Sequence, residues 1–185
     1  MQLKSLKSFI FTGILAAGFA CVGTAAQAAD TAAIDSHVPT TLDHFYGLSP
    51  ANKSLVQNAA AVLVFPRITK AGAGLGGEHG DGALQQNGKT VGYYSISGAS
   101  IGLTLGVSRH SEVIVFNSPE ARDKFVNGGD WSIGADASVA VMKKGAGGEY
   151  DGAALKKPVL VFVFGEKGLM GDASLQGAKI SKIAK

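Results

Sequence analysis

The sequence has a single cysteine, Cys21, and it sits in an apolar stretch near the N-terminus. Beyond it no thiol remains for a disulfide, a cysteine nucleophile or a cysteine metal site. An excess of one charge is lacking too. The formal charge is +3, but without Lys4 and Lys7 the chain from residue 29 onward carries 15 basic against 14 acidic side chains. Strong attraction to nucleic acid is therefore not expected, and anion binding would have to come from local patches. Histidines are few and scattered: His37, His44, His79 and His110 form no pair at ligand spacing.

Long apolar runs are also missing. The longest, Phe9 to Ala20, is broken only by Thr12 and is too short to stay in a bilayer as a spanning helix. With Lys4 and Lys7 before it and Ala26-Gln27-Ala28 after it, it reads as a secretory leader, residues 1–28, cut between Ala28 and Ala29. The expected location is periplasmic or secreted. Cys21 has two readings, a bystander or the acylated first residue of a lipoprotein. Gly18-Phe19-Ala20 before it lacks the branched apolar residue that a lipoprotein signal places three positions ahead.

What is abundant is glycine. Of 26 glycines, 23 fall in residues 29–185, about twice the usual frequency of roughly 7%. No Gly-X-Y period is present and branched apolar residues are plentiful, which excludes collagen and disorder. These glycines are expected within strands and turns.

Residues 29–39 are small and polar without a sustained period, and read as a flexible lead-in. Leu42, Phe45 and Tyr46 then have helical spacing, and Ser49-Pro50 starts a second helix with Leu55, Val56, Ala59 and Ala60 on its buried side. Val62 to Phe65 reads as a buried strand stopped by Pro66. Asn87-Gly88 marks a type I′ hairpin between 82–86 and 89–94. Further strands are expected at 99–107 and 112–116, then a helix from Ser118-Pro119 to the cap at Asn127-Gly128-Gly129. Trp131 to Val141 alternates with period two, Val159 to Phe164 is apolar on both faces, and 169–180 is a last strand region. The expected fold is one α+β domain, residues 40–185, glycine-rich and mainly antiparallel β, with short N-terminal helices and one inserted helix.

Three glycine motifs imitate active sites. Gly72-Ala73-Gly74-Leu75-Gly76-Gly77 fits a dinucleotide loop, but the following Glu78-His79-Gly80-Asp81-Gly82 is a poor helix, and the pyrophosphate needs helix N-terminal amides. Gly82 to Thr90 approaches a phosphate loop but has five residues between its glycines and leads into a strand. Gly98-Ala99-Ser100-Ile101-Gly102 matches a hydrolase elbow, yet strand alternation runs through it and no acid lies between Ser100 and the only downstream histidine, His110. An enzymatic reading would rest on Ser100 or the Gly72 loop; a non-catalytic protein is expected. Glu78, His79 and Asp81 could gather a metal, but polar residues at a hairpin end are the commoner case, so neither metal nor cofactor is expected.

Basic residues cluster locally, with Lys53 on the second helix, Arg67 and Lys70 after the first strand, and the pair Lys143-Lys144. The ordinary reading is a solvated surface. The functional one is a surface that meets anionic lipid headgroups.

Val62 to Gly72 followed by Gly80-Asp81-Gly82-Ala83-Leu84 resembles the opening of the SYLF domain family. Tyr93-Tyr94 with Ala99 to Leu103, and Phe125 with Gly129 to Gly134, resemble its middle. Phe164 to Met170 and Ser174-Leu175-Gln176-Gly177 resemble its close, so the likeness runs from about Leu42 to Ile183. Many bacterial members have Gly-Ala-Gln where this chain has Gly106-Val107-Ser108. The resemblance implies a lipid-binding domain, since eukaryotic members bind phosphoinositides and yeast members also bind and bundle actin, and it implicates the N-terminal helices, 40–60, in membrane contact. An exported bacterial protein would meet neither actin nor, ordinarily, phosphoinositides. The leading expectation is an envelope protein that contacts anionic membrane lipid peripherally through Lys53, Arg67, Lys70, Lys143 and Lys144. The alternative is a structural or protein-interaction module of the envelope.

Overall fold

The computed structural model describes residues 23–133, 138–142, 150–168 and 178–183. Its elements in chain order are α1 (Gly23–Leu48), α2 (Pro50–Asn58), β1 (Ala61–Gln86), β2 (Lys89–Phe116), α3 (Pro119–Asn127), β3 (Trp131–Ser132), β4 (Val139–Met142), β5 (Val159–Gly168) and β6 (Lys179–Lys182). A 3-10 turn, Ala154–Lys156, precedes β5. The described residues are mostly β with three α-helices. Among the described residues no helix is long and apolar enough to cross a membrane.

The core of the architecture is a two-stranded ribbon. β1 and β2 pair antiparallel from Ala61↔Phe116 to Gln86↔Lys89, joined by Asn87 at φ +50° and Gly88 at φ +74°. Both central residues of the turn are left-handed, as a type I′ hairpin demands. On the far side of β2, Tyr94–Ser97 pairs with β6 and Ser108–Phe116 with β5, while β3 pairs β6. The sheet is thus mostly antiparallel, with one departure: β4 runs parallel to β5.

The strand expected to stop at Pro66 does not stop. β1 passes through it with a register shift between Phe65 and Ile68, and the Ser111 hydroxyl donates to the Pro66 carbonyl at 2.9 Å. Proline cannot donate to a ladder but is tolerated at a bulge, where one residue is unpaired anyway. The bulge also corrects the phase, so that Phe65 and Ile68 serve the same core cluster.

The ribbon then doubles back. A Cβ placed on Gly80 would meet the Arg67 carbonyl oxygen at 2.6 Å and Ile68 Cγ1 at 2.8 Å; one on Gly82 would collide with the Val64 carbonyl oxygen and Phe65 Cδ1. Two stretches of one strand therefore cross at backbone contact, which only glycine permits. Pleat alternation sends side chains to two cores. Leu63, Phe65, Leu84, Tyr94, Ile96, Ile114 and Phe116 fill the inside of the curl with Phe125 of α3. Val62, Val64, Tyr93, Val113, Val115, Leu160 and Phe162 face the other way, onto α1.

Residues 29–39 are not an irregular lead-in. They lie within α1, where Ile34 and Val38 are buried against the sheet, and the helix continues unbroken to Leu48 instead of starting at Thr40. The small polar composition hid the helix because its burial rests on two side chains one turn apart, too few for a visible period. Ala28 and Ala29 also fall within α1.

Candidate functional site

α1 and α2 form a roof over the outer face of the sheet, fixed at both ends. At one end the Asp35 carboxylate accepts from Thr90 Oγ1 at 2.8 Å and from Tyr93 Oη at 2.5 Å, tying α1 to the hairpin. Gln85 Nε2 donates in turn to Thr90 Oγ1. This contact, more than burial, holds the Tyr93 hydroxyl protonated above its usual range. At the other end Asn52 of α2 is fully buried, and its Nδ2 donates to the Phe45 carbonyl at 2.8 Å and to Tyr150 Oη at 3.3 Å. Phe45 itself packs on Phe162 and Phe164 of β5.

Between these two ties lies a half-open groove of about 510 Å³. Val38, Leu42, Val56, Ala59, Ala61 and Val62 give it apolar walls, and Asp43, Tyr46, Gln57, Gln85 and Asn87 give it polar points. Among the described residues of the lining, Asp43 is the only charged one. Burial, and secondarily the Asp43 charge, push the Tyr46 phenol upward, so the hydroxyl stays protonated. Size and lining match a pocket for one amphiphilic small molecule.

A second unusual place lies inside the curl. Glu112 is fully buried, and neither carboxyl oxygen has a hydrogen-bond partner. Burial first, and the nearby Glu78 charge second, push its pKa up to about 8, so it is neutral at pH 7. His110, two residues earlier on the same face, is 4% exposed with Nε2 unpartnered. Burial, then the Lys70 charge, lower its pKa. Glu78 lies over Gly98, where a Cβ would meet its Oε1 at 2.7 Å; burial raises its pKa, against the lowering effect of Lys70. The strand phase could have shown Glu112, since it shares a face with Ile114 and Phe116, but the sequence reading took it only as the start of a strand.

The residues expected to meet lipid separate here. Lys53 is exposed on α2 and Arg67 is exposed at the bulge of β1. Lys70 is buried, at 5% exposure, facing Glu78 and His110 across the curl, so its ammonium is not offered to a surface. The sequence puts it outside only if the strand ends at Pro66, and the strand does not end there. Lys143, Lys144 and Cys21 lie outside the described residues.

Two of the imitation motifs lie within strands, and Gly82 to Thr90 spans the hairpin turn. Ser100 pairs with Gly76 in mid-ribbon, with no turn into a helix, and Gly72 to Gly77 lie inside β1. His79 Nε2 stands 3.7 Å from Asp81 Oδ1 at the surface, while Glu78 faces inward, as neighbouring residues of a strand must. Among the described residues no three His, Cys, Asp or Glu side chains are grouped to hold a metal.

Residues 97–184 match the family model Ysc84, described as Las17-binding protein actin regulator. This is the family that the SYLF motifs resemble. No curated protein matches the chain. The matched segment begins within β2, so α1, α2, β1 and the whole lining of the groove precede it.

Proposed function

We propose, since residues 97–184 match the Ysc84, or SYLF, family model, that the protein is a non-catalytic lipid-binding module of the bacterial envelope. The groove under α1 and α2 is the observation that carries this reading. It is apolar along its walls, polar at a few points, and its two helices are fixed by the hydrogen bonds of Asp35 and Asn52. A preformed site loses less freedom on binding than one that must be ordered.

Lys53 and Arg67 are exposed cations that would draw the protein to an anionic leaflet at about 1 kcal/mol each. The leader-like residues 1–28 support a place outside the cytoplasm. In that place the actin partner of the family description is absent, and lipid is the family ligand at hand.

Co-sedimentation with vesicles tests the reading, using protein purified from the envelope as processed there. Binding to phosphatidylglycerol-containing vesicles at low salt, reduced by salt and by Lys53→Ala with Arg67→Ala, is the expected result. Failure to sediment with any vesicle composition at low salt overturns it.

A further inference from the structure

The groove is charged at one point, and the sign is negative. A fatty acid or the bare phosphate of an anionic lipid would bring its charge against Asp43, and no cation among the described lining residues offsets that repulsion. The opposite charge, an ammonium, is complementary to it. A cation is nonetheless near. Lys53 precedes Val56 and Gln57, both in the lining, by three and four residues on α2, and so lies on the same helix face one turn earlier. The lining therefore has a carboxylate contributed by α1, and the helix face of α2 that lines the groove carries an exposed ammonium one turn before it. A zwitterionic headgroup matches that pair: its amine to Asp43, its phosphate to Lys53.

The volume fixes the apolar part. At ~30 Å³ per methylene, about the share of a water molecule in the liquid, a groove of about 510 Å³ holds one acyl chain of ordinary length and not two. Each methylene taken out of water adds to binding, enough for a chain to stay once it enters.

We infer that the groove between α1, α2 and the hairpin end of the β1–β2 ribbon binds one acyl chain of an aminophospholipid of the phosphatidylethanolamine class, its ammonium on Asp43 and its phosphate on Lys53. The inference rests on the lipid-binding reading above and narrows it. Anionic surface lipid recruits the protein, and the lipid held in the groove is a different, zwitterionic one.

Calorimetric titration of the full chain below the micelle threshold tests it, with lysophosphatidylethanolamine, lysophosphatidylglycerol, dodecylammonium and dodecanoate as probes. Lysophosphatidylethanolamine is expected to bind one to one and at least fivefold tighter than lysophosphatidylglycerol, and dodecylammonium tighter than dodecanoate. Asp43→Asn, at an exposed position, should abolish both preferences. Lys53→Ala should weaken both lysolipids several-fold and leave dodecylammonium unchanged. Ala59→Trp, which fills the groove, should weaken all four probes; if it does not fold, Asp43→Asn and Lys53→Ala decide. Equal affinity for the two lysolipids, indifference to Asp43→Asn, or unchanged binding by folded Ala59→Trp overturns the inference. A change in sedimentation coefficient of the groove variants without lipid would also overturn it, because a second copy of the chain would then be the occupant. If vesicle binding persists while none of the four probes binds, the groove inference fails and the membrane reading survives.

Discussion

At the scale of single residues, Glu112 is the most informative position. Its folded pKa is about 8 against 4.5 for an exposed glutamate, so the folded state holds the proton more tightly than the unfolded one. By linkage, its contribution is most favourable below about pH 4.5, declines as pH rises between 4.5 and 8, and is constant above. Glu112→Gln removes the titration and keeps the shape. Urea denaturation at pH 5 and pH 8 should show the wild type losing a few kcal/mol more than Glu112→Gln over that interval. Equal losses would mean that Glu112 holds its proton no more tightly in the folded state than in the unfolded one. His110 slopes the opposite way, since its lowered pKa makes the fold lose stability as pH falls below 6.5, so the comparison must be made within the variant pair.

Gly82 and Gly88 form a second residue-scale contrast. At Gly82 a methyl group would collide with the Val64 carbonyl and the Phe65 ring, both fixed in the core, whereas at Gly88 nothing lies within 4 Å and only φ +74° resists a side chain. Gly82→Ala should therefore cost more than 2 kcal/mol, as overpacking of a rigid site does. Gly88→Ala should cost about 1 kcal/mol. Thermal melts of the two variants check the order.

Among the elements, the ties that hold α1 and α2 can be cut one at a time. Asp35→Ala removes the acceptor of Thr90 and Tyr93, and should raise amide exchange in α1 while leaving the β1–β2 ladder protected. Asn52→Ala removes a fully buried amide that bridges Phe45 and Tyr150, at an expected 1–3 kcal/mol in chemical denaturation. Elements governed by local chemistry were legible in the sequence: the turn at Asn87-Gly88, the helix opening at Ser49-Pro50, and the helix whose Ser118 hydroxyl accepts from the Ala121 amide. Elements governed by distant partners were not. Pro66 reads as a break because proline cannot donate to a ladder, yet β1 crosses it because β2 supplies a partner nearly throughout its length. The burial of Lys70 depends on Glu78 and His110, eight and forty residues away, and no local pattern reports such a meeting. The groove was only partly visible. Lys53 and the helices around it were singled out, but Asp43, which sets the sign of the lining, was not.

On the scale of the whole molecule, one continuous ribbon carries both cores, so the helix-roofed outer face and the interior of the curl share the same two strands. Tightening of the groove around a ligand would be transmitted through Val62 and Val64 to Leu63 and Phe65, which alternate with them along β1. Trp131 stands against Phe125 and Phe116 on the interior side, at centroid distances of 5.5 and 6.4 Å, and so forms a built-in reporter of that side. The sole tryptophan of the chain, it should report Gly82→Ala strongly, by a red shift of its emission, and Asp35→Ala weakly.

The pairing of β1 with β2 has a consequence for heredity. The match to the Ysc84 family model opens at residue 97, in the middle of a strand whose partner on one side, β1, is formed entirely by residues before it. A gene fragment cut at that boundary would encode a strand with an unpaired edge along Ser97–Phe116, a template for sticking to other chains. Selection on the shared half therefore acts on the preceding half as well, and the smallest unit that recombination can move intact includes β1.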